Sequence, residues 1–233
     1  MCRMSTFHFA CPVVALLAVA LVESSPIEGG PVKREDTEWL EVTVPGVRRT
    51  DRPHVLLIGD SIVGGYLGAV SERLDGRAYV ARLSTSKSVG DPALLQEVAY
   101  VLSQCAFDVV HFNNGLHGRD YTEEDYRGHF PELIAALRTG APNAKLIWAS
   151  TTPTREGTDF EAVTAFTQRV RERNRIAAEH AAAAGIPVND LYQLVLDHPE
   201  YFQDGTHFNA KGNEVLGARV ADSVRTALGT EAD

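Results

Sequence analysis

Four short stretches carry side chains able to do covalent or acid–base chemistry. Gly59-Asp60-Ser61-Ile62 follows the apolar run His54-Val55-Leu56-Leu57-Ile58. A serine at a strand-to-helix turn holds its hydroxyl beside the free N-terminal amides of the helix, whose dipole steadies a neighbouring anion. The same tetrapeptide also suits a Ser61 that only caps the helix, and it is not a G-x-S-x-G elbow. Asp204-Gly205-Thr206-His207 stands just before the last helix. A carboxylate three residues ahead of a histidine can bond Nδ1, fix the tautomer and steady the imidazolium formed when Nε2 takes a proton. Asn113-Asn114-Gly115 ends the third buried strand, where the amides either close a turn or donate to a developing oxyanion. Ser88-Val89-Gly90-Asp91 follows the second, and the Gly90 N–H is a further donor to the same oxyanion. Ser61, His207 and Asp204 are together the set that makes a hydroxyl nucleophilic.

Other candidates have structural readings that carry more weight. His111 alternates within a buried strand and His117 lies just past it. Each can line a pocket, and each is more simply a hydrogen-bonded structural histidine. Thr151-Thr152-Pro153-Thr154-Arg155 follows the fourth strand at the ligand edge, where it either shapes the substrate site or is a plain loop. Cys105 reads as a buried structural thiol at a helix end. No Cys/His spacing suggests zinc.

The elements that must position these residues alternate cleanly. His54 to Ile58, Ala78 to Leu83, Val109 to Phe112, Lys145 to Ala149 and Ile186 to Val188 are short apolar runs, the mark of strands buried on both faces. Helices are expected from Ile62 to Leu74, from Asp91-Pro92 to about Gln104, along the stripe Tyr126, Phe130, Leu133 and Leu137, and along Val163, Phe166, Val170, Ala177 and Ala181. Pro131 is expected to bend or restart the third of these. Asn174 lies on the stripe of the fourth and needs a partner. Val215, Val220, Val224 and Leu228 place a last helix, stopped by Gly229. This alternation gives an α/β class with a parallel sheet, whose ligands bind at the carboxyl ends of the strands.

Composition narrows the function. The 233 residues carry a formal net charge of −9 and no dense basic cluster, which argues against gripping a nucleic-acid backbone. Arg3, the apolar run from Phe7 to Val22 and the small-polar stretch Glu23-Ser24-Ser25-Pro26 read as a secretory signal peptide. A retained anchor is the rival reading, and the run is short for a span. The expected division is a leader over residues 1–24, a linker with a short edge strand over residues 25–52, and one catalytic domain over residues 53–229. Of the three cysteines, Cys2 and Cys11 would leave with the leader and Cys105 would remain unpaired. The protein is therefore expected to be secreted or periplasmic, without stable membrane insertion.

These blocks resemble the SGNH hydrolases, also called GDSL esterases and lipases, over about residues 53 to 228. Gly59-Asp60-Ser61-Ile62 matches the nucleophile block, Gly90 the second-block glycine, and Asp204 to His207 the D-x-x-H block. The third block usually reads G-x-N-D, and Phe112-Asn113-Asn114-Gly115-Leu116-His117 stands in its place. The Asn-Asn-Gly-Leu-His sequence is similar to an uncharacterised bacterial subgroup. The resemblance implies a flavodoxin-like three-layer α/β/α sandwich with a five-stranded parallel sheet. It implies hydrolysis of carboxylic esters through an acyl-enzyme, with no metal and no cofactor. Ser61 would attack, His207 would be base and then acid, and Asp204 would orient it. The Ser61 and Gly90 amides and the Asn114 side chain, with Asn113 as the alternative, would form the oxyanion hole. The expected substrate is a small acyl ester, of a small molecule or a carbohydrate. A lipase or thioesterase-like acylhydrolase and a non-catalytic carbohydrate-binding relative are the alternatives.

Overall fold

The computed structural model describes residues 32–229. The leader expected over residues 1–24 lies outside the described residues. Strand β1 spans Leu40–Thr43, β2 His54–Gly59, helix α1 Ser61–Arg73, β3 Tyr79–Thr85, α2 Pro92–Leu102, β4 Val109–Phe112, α3 Glu123–Gly140 and β5 Lys145–Ala149. The two-residue strands β6 (Arg155–Glu156) and β7 (Ala162–Val163) form a small antiparallel pair. Helix α4 spans Phe166–Ala183, β8 Val188–Asn189, α5 Leu191–Leu196 and α6 Ala210–Leu228.

The main sheet has the order β1-β3-β2-β4-β5-β8. β1 runs antiparallel to β3, and the other neighbours are parallel. Taken in chain order, the five parallel strands lie 2-1-3-4-5 across the sheet, the flavodoxin-like doubly wound order. The winding reverses between β2 and β4, so a crevice opens beyond their carboxyl ends. Gly59-Asp60-Ser61 and Asn113-Asn114 both leave the sheet at that point.

Side-chain alternation along the strands makes two cores. Leu56, Ile58, Val110, Phe112 and Trp148 pack against α2, α3 and α4. Val55, Leu57, Val109, Ile147 and Ala149 pack against α1, α5 and α6. Both faces are covered, which is why β2 and β4 are buried at every position. The short edge strand expected within the linker is β1, which runs antiparallel to β3. Helix α3 runs unbroken past Pro131. Val163 belongs to β7 rather than to the helical stripe, and α4 starts at Phe166. Asn174 on α4 finds its partner in the backbone of Thr151, accepting from its N–H at 2.8 Å and donating to its carbonyl at 2.9 Å. Among the described residues, no helix is long and apolar enough to cross a membrane.

His111 lies on β4 beside Leu57 and Ile147 and is fully buried. Its Nε2 is 3.1 Å from the Asn189 amide nitrogen, which donates, so Nδ1 holds the ring hydrogen and has no partner among the described residues. Burial pushes the imidazole down to about 4. The unfolded chain takes up this proton near the ordinary value of about 6.5. Between the two values the unfolded state binds more protons, so stability falls as pH drops through that window. Urea unfolding at pH 7 and pH 5 should differ by about 2 kcal/mol from this group alone. In His111→Leu that component of the pH slope should vanish; an unchanged slope would rule out His111 as its source.

Candidate active site

The nucleophile candidate and the histidine sit at the starts of two helices packed side by side. Asp60, not Ser61, is the N-cap of α1, its carboxylate accepting the Ile62 N–H at 2.9 Å. Ser61 is thereby the first helical residue, with its hydroxyl free of capping. Burial raises the Asp60 carboxyl above the usual range, against the opposing pull of His117, the Ile62 N–H and His207. Helix α6 starts three residues beyond His207, capped by Asn209 on the Gly212 N–H. The two helices approach closely because glycines face their contact. A Cβ on Gly217 would lie 2.5 Å from that of Ala69, and one on Gly65 would lie 2.7 Å from Asn213 Oδ1.

That approach places Ser61 Oγ 2.9 Å from His207 Nε2 across 146 positions of sequence. On the other side of the ring, Nδ1 is 2.9 Å from Asp204 Oδ2. Asp204 Oδ1 accepts the backbone N–H groups of Thr206 and His207 at 2.8 and 2.7 Å. Burial raises the Asp204 carboxyl, but those amides and the imidazole outweigh it and hold it below the usual range. An ionised carboxylate only accepts, so Nδ1 bears the hydrogen and Nε2 can accept one from the serine hydroxyl.

The asparagine pair is divided by its bonding. Asn113 Nδ2 donates to the Ala149 carbonyl at 2.7 Å and to Thr151 Oγ1 at 3.0 Å, which uses both amide hydrogens. Asn114 Nδ2 donates to the Lys87 carbonyl at 2.8 Å, and its Oδ1 accepts from the Val89 N–H at 3.2 Å. One Asn114 amide hydrogen remains. Gly90 lies in a turn closed by the Asp91 N–H on the Ser88 carbonyl, where a Cβ would meet the Tyr121 ring at 2.5 Å. Packing alone therefore requires glycine there.

Beside the dyad opens a cleft of about 350 Å³, lined among others by Ser61, His207, Leu116, His117, Lys87 and Glu38. One wall comes from residues 33–38, in the stretch expected as linker. Four of its residues fasten it. Lys33 N–H donates to the Tyr121 hydroxyl at 2.9 Å, and Arg34 pairs with Asp91 at 2.8 Å. Glu35 holds His117 Nδ1 at 2.9 Å, and Glu38 pairs with the buried Lys87 ammonium at 2.6 Å. Burial raises the Glu38 carboxyl, yet Lys87, Ser86 and the Glu35 N–H bring it below its ordinary value. These wall residues escape sequence reasoning because a Pro-, Gly- and charge-rich stretch has no periodicity to place it.

Thr151 to Arg155 turn inward. Thr151, Thr152 and Thr154 are buried, and Arg155 donates to the Phe160 and Leu196 carbonyls. Cys105 is half-buried with Sγ 3.7 Å from His54 Nδ1, at the opposite end of β2 from Ser61, and burial pushes its thiol up.

Residues 57–215, more than half of the chain, match the GDSL-like lipase/acylhydrolase family, and the chain belongs to it. It is accordingly a carboxylic ester hydrolase. Solved structures share the fold. The aryl esterase of M. smegmatis aligns at TM-score 0.63 and 19% identity, over 75% of this chain and 99% of that one. A carbohydrate acetylesterase from Sinorhizobium meliloti aligns at 0.58 and 18%, over 75% and 99%. A lipase/acylhydrolase from Enterococcus faecalis aligns at 0.57 and 22%, over 75% and 96%. No curated protein matches the sequence.

Proposed function

We propose that this chain hydrolyses small acyl esters, acetates of carbohydrates foremost, through an acyl-enzyme on Ser61. The observation that carries the reading is the unbroken run Ser61 Oγ, His207 Nε2, His207 Nδ1, Asp204 Oδ2, each link at 2.9 Å. His207 takes the Ser61 proton as the hydroxyl attacks the ester carbonyl, then returns it to the leaving alcohol. Water repeats the sequence on the acyl-enzyme. Three donors are proposed for the oxyanion: the Ser61 N–H, unpaired by its position at the helix start; the spare Asn114 amide hydrogen; and the Gly90 N–H. A cleft walled by ion pairs supports a short acyl group and a polar alcohol over a long chain. The leader expected over residues 1–24 makes export part of the same proposal.

A series of p-nitrophenyl esters tests it. kcat/KM should be highest on acetate and fall by about tenfold or more toward octanoate. Activity that climbs with chain length would favour the lipase reading. A folded protein inert on every ester would favour the binding relative.

Asn114→Ala should lower kcat by ~10² to 10³ with little change in KM, because the lost donor acts on charge present only in the transition state. It should also cost about 1–3 kcal/mol of stability, since the Val89 N–H and Lys87 carbonyl lose their partner. Asn113→Ala should lower stability and spare kcat. If the kcat loss falls on Asn113→Ala instead, the division of the pair is wrong.

A further inference from the structure

We propose that His117, oriented by Glu35, binds a hydroxyl of the substrate's alcohol portion, so that esters of polyhydroxy alcohols are the preferred class. The inference rests on the hydrolase reading above and deepens it. His117 lines the same cleft as Ser61 and His207. Its Nδ1 is 2.9 Å from Glu35 Oε1, and Trp39 meets its ring edge-on with centroids 5.9 Å apart. Both holding groups come from the segment just before β1. Glu35 can only accept, so Nδ1 carries a hydrogen and Nε2 is the ring nitrogen left to meet a ligand. Nε2 has no partner among the described residues, and the ring is not sealed from solvent. A core histidine held only for packing would not need a carboxylate on Nδ1 while its ring lines the cleft.

The neighbours narrow what completes it. Glu38 adds acceptor oxygens and Lys87 adds ammonium donors within the same lining. A hydroxyl both donates and accepts, and a polyol presents several. An alkyl alcohol would leave these groups facing apolar surface, with their hydration lost and nothing in return.

The test uses two acetates of equal carbon count, glycerol monoacetate and propyl acetate. The wild-type chain should prefer the first in kcat/KM. In His117→Phe, which keeps a ring against Trp39, that preference should shrink about fivefold to tenfold, through KM. Glu35→Gln lies on the surface segment and serves if the first variant is unstable. Its amide can either accept from Nδ1 or donate to it, so the ring is held less firmly, and because a hydroxyl can meet Nε2 in either tautomer the preference should shrink by less than in His117→Phe, while His117→Gln should recover part of it. A wild-type enzyme that turns over both esters equally well, or a folded His117→Phe with the full preference, would overturn the assignment alone. Turnover of neither ester would sink the hydrolase reading and this one with it.

Discussion

Ser61→Ala should fold as the parent does and, if Ser61 is the proposed nucleophile, should lose ester turnover by about 10⁶ in kcat, the cost of removing the nucleophile from a serine triad. The fold survives because the cap of α1 belongs to Asp60, and the Ser61 hydroxyl bonds only His207. Alanine is well suited to the first turn of a helix, so the stability change should stay within about 0.5 kcal/mol. Steady-state kinetics on p-nitrophenyl acetate beside a thermal melt decide the matter. Near-normal kcat in a folded variant would remove Ser61 from the chemistry.

Asp204→Asn should lower kcat by about 10⁴ with the fold retained. The geometry says why. The amide oxygen can still accept the Thr206 and His207 N–H groups where Oδ1 does now. The amide nitrogen then falls where Oδ2 faces Nδ1, and it donates. The ring hydrogen must move to Nε2, which can no longer accept from Ser61. In the parent, the Asp204 carboxyl lies below its ordinary range, so its stabilising contribution is present above the unfolded value and is lost only as pH falls through the lower folded one. A variant within tenfold of the parent would mean that the carboxylate does not set the tautomer.

The central sheet was legible because strands covered on both faces leave continuous apolar runs, and Val109–Phe112 and Lys145–Ala149 have the boundaries those runs suggest. The Asp204-to-His207 spacing was legible because three residues is a local distance. The pair β6–β7 leaves no period to detect, and the fifth parallel strand expected at Ile186 to Val188 forms at Val188–Asn189 instead. Val163 fitted a helical stripe by spacing while its backbone pairs with Arg155 instead. The choice between Asn113 and Asn114 rests on which amide hydrogens the Ala149 and Lys87 carbonyls take up, and no sequence period carries that information. The wall at residues 33–38 was hidden for the same reason: its four fastenings reach Asp91, Tyr121, His117 and Lys87, all distant in sequence.

The proposed catalytic groups have uneven origins, and that would set how activity is lost. Acid and imidazole share one loop tied by its own backbone, so their mutual geometry is a local property that needs little of the domain. The hydroxyl arrives from the far end of the chain and is held in register by glycine contacts between α1 and α6. A slip of those helices by the width of one methyl group would open the gap from Ser61 to His207 while the contact between Asp204 and His207 stays in place. Inactivation under mild heat or denaturant would then be an early, reversible event that reports on helix docking and precedes any loss of ellipticity. An assay of turnover measures the tightness of one seam in the molecule, not its overall foldedness.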